Sequence, residues 1–189
     1  MMNNLLHERL AVIEDRWIRL IAATYPPETA KFLLGQKDRF ANPVGYTILN
    51  AAGPILEEIL KGGDPENVKD QMDEMVRIRA VQDFEPSGAV SVFYLLKKAI
   101  RDEIRAQDLG GKIKLEDILS LESKIDKFVL MAFDVYMKCR ERVWEIKLND
   151  IMKRPFVLSE VTMCPSYLIK KGMFKDIGLE KDINNQGLS

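Results

Sequence analysis

The sequence predicts an all-α protein, and three observations support this fold class. Apolar residues recur at three- and four-residue intervals through most of the chain, as along Leu6, Leu10, Ile13, Trp17, Leu20 and Ile21. No segment sustains the alternation of polar and apolar residues that is typical of a β-strand. Proline and glycine residues stand between the apolar stripes, where they suit the starts and ends of helices. We therefore expect a bundle of helices.

The first three helices are predicted from their breakers and caps. The first runs over about residues 4–23 and ends before Tyr25-Pro26-Pro27. A short second helix covers about residues 27–34, and Gly35 ends it. Asn42 can cap a third helix with Pro43 at its first position, and this helix runs to about residue 60 with a kink at Gly53-Pro54.

Two further helices are predicted to meet at a polar junction. Asp64-Pro65 begins the fourth helix, which runs to about Phe84, and Pro86-Ser87 begins the fifth. The apolar stripe of the fifth helix is Ala89, Phe93, Leu96, Ile100 and Ile104. The glycine pairs at 62–63 and 110–111 are predicted to be loops.

The last helix has a heptad-like apolar seam. Its members alternate in spacing between three and four residues, namely Ile118, Leu121, Ile125, Phe128, Ala132, Val135 and Cys139. A helix of about 30 residues would be about 45 Å long. It is either a long core helix, or its C-terminal half leaves the core and pairs with a second subunit. We expect the seam to be longer than one small bundle covers, and therefore to associate as a homodimer.

The periodic pattern ends near Asp150. We therefore predict a helical domain over residues 1–148 and an irregular tail over residues 149–189. Residues 147–175 carry six basic side chains against two acidic ones, and the tail contains aromatic residues. This composition favours a tail that docks on a partner and is dispensable for folding. Alternatively, Tyr167, Leu168 and Ile169 fold back to close one end of the bundle.

The composition excludes several classes of protein. A hydrophobic fraction of 47% is too high for a disordered chain, and a net charge of −1 argues against a nucleic-acid binder that works by bulk electrostatics. The longest apolar run, residues 128–133, is far short of the roughly 20 residues of a membrane span. The N-terminus lacks the pattern of a signal peptide. Two cysteines, Cys139 and Cys164, form no disulfide framework or zinc spacing, so we expect a cytoplasmic protein.

The sequence contains no motif that predicts catalysis. It has no P-loop, no dinucleotide-binding glycine pattern and no metalloprotease motif. His7 is the single histidine and lies in the first turn of the first helix, where a solvated or capping role is expected. A Ser-His-Asp triad and a haem held by a buried histidine are therefore implausible. We expect no catalytic residue, no metal site and no cofactor.

Four polar residues at the end of the fourth helix are candidates for binding. These are Arg77, Arg79, Gln82 and Asp83. Arg79 lies three residues before Gln82 and four before Asp83, so the three side chains share one face of a helix. One interpretation is a structural Arg79–Asp83 pair that fixes the junction of the fourth and fifth helices. The other is the polar wall of a pocket or of a partner surface.

Four segments of the chain form a pattern when they are taken together. They are Phe40-x-Asn42-Pro43-Val44-Gly45, Arg77-Ile78-Arg79-Ala80-Val81-Gln82-Asp83-Phe84-x-Pro86-Ser87-x-Ala89-Val90, Leu95-Leu96-Lys97 and Ala132-Phe133-Asp134-x-Tyr136-x-x-x-Arg140-Glu141. With these segments the chain resembles the N-terminal domain of the RsbR/RsbRD co-antagonist family, over about residues 5–148. Gly88, in the second segment, departs from the family pattern, where a larger polar residue is expected.

The resemblance implies a globin-like helical bundle without haem that forms a homodimeric sensory module in a stress response. It also implies that the long last helix passes a signal to an output domain, commonly a STAS domain of the stressosome or a histidine kinase. Because Tyr136 and Arg140 belong to the matching segments, they join the binding candidates. The chain ends about 40 residues after the resemblance, so we expect neither output domain in it.

Two hypotheses for the function follow. The first is a non-catalytic regulatory module that acts as a homodimer through an unidentified regulatory protein partner, with or without a small ligand, and that binds no nucleic acid and inserts into no membrane. The second is a small-molecule or redox-cofactor carrier, with a pocket between the fourth, fifth and last helices and with Cys139 or Cys164 as contributors. A bound chromophore or metabolite would favour the second hypothesis.

Overall fold

Helices make up every element described in the computed structural model of the chain, which confirms the all-α class. The structure describes residues 2–36, 38–82, 84–107 and 113–153. Their elements are α1 (Met2–His7), α2 (Leu10–Ala22), α3 (Pro27–Gly35), α4 (Pro43–Lys61), a 3₁₀ helix (Pro65–Val68), α5 (Lys69–Val81), α6 (Pro86–Ala106) and α7 (Leu115–Lys153). A first compact unit covers Met1–Ile146, and a second begins at Lys147. None of the described helices is long and apolar enough to cross a membrane.

The core forms where α2 packs between α4 and α6, with α5 lying against α4. Trp17 of α2 is fully buried, and its indole Nε1 donates a 2.7 Å hydrogen bond to the carbonyl of Val92 in α6. Its ring also lies against Phe93, with 6.3 Å between the ring centroids. The indole therefore satisfies its one polar group while it fills the space between two helices.

The predicted first helix proves to be two helices. A turn at Glu8 and Arg9 separates α1 from α2. Leu6 and Ile13, which lie on either side of the turn, are both fully buried. Their spacing of seven residues also fits two turns of an uninterrupted helix, so the apolar pattern did not indicate the break. The predicted fourth helix likewise begins as a 3₁₀ helix and ends at Val81, before Phe84.

The predicted cap of the third helix is confirmed at Asn42, which links α3 to α4. Asn42 Oδ1 accepts a 2.9 Å hydrogen bond from the backbone N–H of Gly45. Its Nδ2 donates to the carbonyls of Leu33 at 3.0 Å and Gln36 at 2.7 Å. One buried amide therefore satisfies the N-terminus of α4 and the C-terminus of α3. Gly45 permits this close approach, since a Cβ there would overlap with the Asn42 amide and lie 2.5 Å from the Leu33 carbonyl oxygen.

The seam of α7 is buried against the chain's own helices. Leu121, Ile125, Phe128, Ala132 and Val135 are all buried, and Ile118 and Cys139 pack against the same core. Lys97 and Arg101 of α6 bind Asp126 and Glu122 of α7 at 2.7 and 2.6 Å. The expectation that this seam is an uncovered association surface is therefore wrong. At 39 residues, α7 is also longer than predicted.

A second apolar stripe lies on the opposite side of α7 and is exposed. We call Leu130, Phe133, Met137 and Trp144 the outer stripe; their exposed fractions are 68%, 45%, 38% and 54%. At about 100° per residue, the four positions fall within about 60° of one another. The spacing continues in the sequence at Leu148 and Ile151, which are also exposed. The helix is therefore apolar on two sides.

The predicted tail, residues 149–189, lies outside the described residues from Arg154 onward, as do Asp83, Cys164 and the loop at 110–111. The helix itself extends a few residues into the predicted tail, since α7 ends at Lys153. Whether the tail docks on a partner or folds back remains a prediction.

We predict that Gly45→Ala destabilises the fold and that Gly35→Ala does not. The new methyl at position 45 would push the Asn42 amide away from its partners, at a cost of about 1–3 kcal/mol. A methyl at position 35 would meet no described atom within 4 Å, so the matched substitution should cost little or stabilise slightly. Chemical denaturation of the two variants compares their free energies of unfolding. Equal free energies would contradict the close packing at Gly45.

Candidate functional site at the junction of α5 and α6

A buried arginine forms the centre of the polar junction. Arg79 lies on the inner face of α5, beside the buried Met75, Val76 and Ala80, and its exposed fraction is 0%. Its guanidinium carbon lies 3.9 Å from the centroid of the Phe84 ring and 5.2 Å from that of the Tyr25 ring. The two rings contact each other edge to face, at 5.2 Å between centroids. The guanidinium is therefore enclosed by an aromatic corner.

Only one of the three guanidinium nitrogens of Arg79 has hydrogen-bond acceptors among the described residues. Nη2 donates to the hydroxyl of Thr24 at 3.1 Å and to the carbonyl of Gly88 at 3.2 Å. Nε and Nη1 are buried and have no acceptor there. No described carboxylate pairs with Arg79. Within the part of the chain that the structure describes, the hydrogen bonds of this buried positive charge are therefore incomplete.

The described contacts of Arg79 stabilise its guanidinium by less free energy than its burial costs. A cation–π contact contributes about 0.5–2 kcal/mol. Removing a charged group from water costs several kcal/mol, and each unsatisfied buried donor adds about 1–3 kcal/mol. Burial lowers the pKa of Arg79 from its usual value, although an arginine remains protonated at neutral pH. The arginine is thus costly to bury, which is a feature found at binding sites as well as in structural networks.

Tyr25 connects the arginine to Gln82. The Tyr25 hydroxyl donates a 3.0 Å hydrogen bond to Oε1 of Gln82, and its ring is buried beside Arg79. Burial raises the pKa of Tyr25 above its usual value, so the hydroxyl remains a neutral donor at physiological pH. Gln82 is exposed, and it therefore lies between the buried corner and solvent.

Two side chains of α7 bind carbonyl groups of the same junction. Tyr136 is buried, and its hydroxyl donates a 2.6 Å hydrogen bond to the carbonyl of Phe84. One turn later, Nη1 of Arg140 donates to the carbonyl of Ala80 at 3.4 Å. Both acceptors lie at the C-terminal end of α5 or just beyond it, where helix carbonyls lack intrahelical partners. The junction is thereby attached to the long last helix.

The structure brings together four of the six residues predicted for this site. Arg79, Gln82, Tyr136 and Arg140 surround the junction, whereas Arg77 is exposed and pairs with Asp73. The sixth, Asp83, lies outside the described residues, so the predicted Arg79–Asp83 pair is not described.

Sequence reasoning missed the residues that contact Arg79 from a distance. Thr24 and Tyr25 lie more than 50 positions earlier, and their sequence context was interpreted only as the end of a helix. Phe84 and Gly88 were part of the matching segment but were given no role. An aromatic residue at a helix end is a weak signal, and only the tertiary structure shows which arginine it contacts.

Three further features bear on the hypotheses drawn from the sequence. An open groove of about 580 Å³ is lined by Glu58, Gly62, Gly63, Asp64, Pro65, Asn67 and Lys127. It does not coincide with the pocket predicted between the fourth, fifth and last helices. Cys139 is a free, half-buried thiol packed against the core. His7 is exposed. Among the described residues, no group of three or more His, Cys, Asp or Glu side chains is arranged to hold a metal ion.

The helical fold and the buried arginine junction define an all-α domain whose last helix contacts the junction directly. Residues 11–149 match the model of the RsbT co-antagonist protein rsbRD N-terminal domain. Because this match covers well over half of the chain, the protein belongs to that family, and the resemblance inferred from the sequence segments is confirmed. The family is a regulatory one.

A relative in Archaeoglobus fulgidus is also similar to this chain. It is an uncharacterized protein, 29% identical over 144 residues, which cover 76% of this chain and 84% of the relative. No solved structure matches the chain. The globin-like detail of the predicted fold therefore remains an expectation, while the helical class and the family are established.

We predict that Arg79→Ala destabilises the protein more than Arg77→Ala. The first change removes a fully buried side chain from between two rings and leaves a cavity, at a cost of about 2–4 kcal/mol. The second removes an exposed side chain whose ion pair with Asp73 contributes less than about 1 kcal/mol. Urea denaturation of both variants provides the comparison. Similar losses of stability would show that Arg79 is not packed as described.

Proposed function

We propose that this protein is a non-catalytic sensory module that forms a homodimer and regulates a protein partner. One observation provides the main support, namely that a single helix contacts the buried junction on one side and presents the exposed outer stripe on the other. Tyr136 binds the junction, and its neighbour Met137 belongs to the outer stripe. A rearrangement at the junction would therefore be transmitted directly to an apolar surface.

The outer stripe has the spacing of a helix–helix interface. Leu130, Met137 and Trp144 are separated by seven residues each, and Phe133 occupies the intervening position between the first two. An exposed stripe with this period has no role in the described core, which uses the opposite side of α7. A second copy of α7 offers the same stripe, so two copies can pair symmetrically and bury both.

The description of the family supports action through a protein partner. The term co-antagonist denotes a regulatory relation to another protein, and RsbT is the protein that the family description names. For this chain we propose that it regulates a partner protein. The tail that begins near residue 149 is proposed to take part in recognising that partner.

We predict that Met137→Glu converts the dimer into a monomer and that Ile146→Glu does not. A carboxylate at position 137 would face its symmetry mate in an apolar interface, where the charge cannot be hydrated. Ile146 is exposed as well. It follows Met137 by nine residues and therefore lies about 180° around the helix from it. Light scattering over a hundredfold range of concentration measures the mass of each variant.

The wild type and Ile146→Glu are expected to have about twice the chain mass of 21.7 kDa. Met137→Glu is expected to have the single-chain mass with an unchanged helical circular dichroism spectrum, which separates loss of the interface from loss of the fold. A wild type that remains monomeric at every concentration would contradict the dimer proposal. A dimer that persists in Met137→Glu would show that another surface forms the interface.

A further inference from the structure

The junction contains unused hydrogen-bond donors around a buried positive charge. Nε and Nη1 of Arg79 have no acceptor among the described residues, although the side chain is fully buried. Nη2, the third guanidinium nitrogen, already has two acceptors, Thr24 Oγ1 and the Gly88 carbonyl. Among the described residues, the site therefore offers hydrogen-bond donors on a positive group and contains no carboxylate that accepts from them.

A helix N-terminus adds to the positive potential at the same place. Gly88, which binds Arg79, lies in the first turn of α6, a helix of 21 residues. The N-cap residue of α6, Glu85, makes no side-chain hydrogen bond to the cap. The positive end of the helix dipole and the guanidinium, which pairs with no described carboxylate, therefore both favour a negative charge here.

Thr24 and Gly88 provide the two acceptors of Nη2, so they border this side of the guanidinium. Thr24 is exposed, and its hydroxyl also donates a 2.7 Å hydrogen bond to the Ile21 carbonyl. An anion that takes the place of the Thr24 hydroxyl would bind Nη2 together with one adjacent unpaired N–H, in the two-pronged geometry that arginine forms with carboxylates.

We propose that Arg79 is the binding site for a small organic carboxylate with a single negative charge. In this proposal the guanidinium binds the carboxylate, and the Tyr25 and Phe84 rings that lie beside the guanidinium contact the apolar part of the molecule. A phosphate group would need more positive charge, whereas the nearby Arg77 is paired with Asp73 on the outer face. This inference rests on the proposed sensory function and specifies the class of ligand.

The test is a titration of the full-length protein with acetate and with benzoate, observed through its arginine side chains. Labelling with ¹⁵N-arginine makes the Nε–H resonance of Arg79 visible, and its absence in Arg79→Lys assigns it. Sodium chloride at equal ionic strength is the salt control. We expect a saturable shift of this resonance with at least one of the two carboxylates and none with chloride.

The melting temperature, followed over the same titrations, provides a measure of affinity that does not need the Arg79 resonance. With this measure, two variants show whether the response is specific to the junction. Arg79→Lys keeps a positive charge but loses the planar donor pair, so its apparent affinity should fall by about tenfold or more. Arg77→Met removes the nearby exposed arginine and should leave the affinity unchanged. No saturable response in the wild type, or an equal response in Arg79→Lys, would overturn the proposal.

Asp83 provides the competing explanation, because it follows Arg79 by four residues and lies outside the described part of the chain. If Asp83 is the counter-ion of Arg79, the wild type should not respond to carboxylates and Asp83→Asn should. That result would overturn the proposal and assign the pair instead. Neither outcome affects the oligomeric state of Met137→Glu, so a failure of the carboxylate site is distinguishable from a failure of the proposed dimeric function.

Discussion

The constraint on which the junction depends is the cost of burying the Arg79 guanidinium. A charge below the surface requires its own set of partners, and these come from three separate places in the chain: the residues just after α2, the segment between α5 and α6, and the first turn of α6. Each contact therefore holds one helix end in position relative to the others. Removing the charge would leave the three helix ends connected mainly by apolar contacts, which specify position less sharply.

The same junction is connected to the surface through α7. The Phe84 ring lies over Arg79 and the Phe84 carbonyl accepts from Tyr136, so one residue joins the guanidinium to the last helix. A helix transmits a displacement along its length because its backbone hydrogen bonds resist bending. The inner side of α7 is used for packing and for this contact, and its outer side is exposed at Leu130, Phe133 and Met137. This division explains how one helix serves both the fold and an interface.

Much of the fold was predictable from local signals, whereas the site was predictable only in part. Asn42 with Pro43 indicated a helix start because the cap depends on residues three positions apart. Helical spacing alone placed Arg79 and Gln82 on one face of the helix. Its aromatic partner Tyr25 was not identified, because nothing local indicates that the end of α2 approaches the end of α5. The helical repeat of apolar residues in α7 was likewise evident, but the sequence did not show which side of this helix packs against the core of the same chain.

The most direct measurement is a double-mutant cycle between Arg79→Ala and Tyr136→Phe. Both side chains contact Phe84: Arg79 contacts its ring, and Tyr136 donates to its carbonyl. If Arg79 positions the segment that α7 binds, the two losses in the free energy of unfolding should be non-additive by at least about 0.5 kcal/mol. The matched cycle with Arg77→Ala should be additive. Additivity within about 0.3 kcal/mol in the Arg79 cycle as well would contradict the account, because α7 would then be attached to the junction independently of the buried arginine.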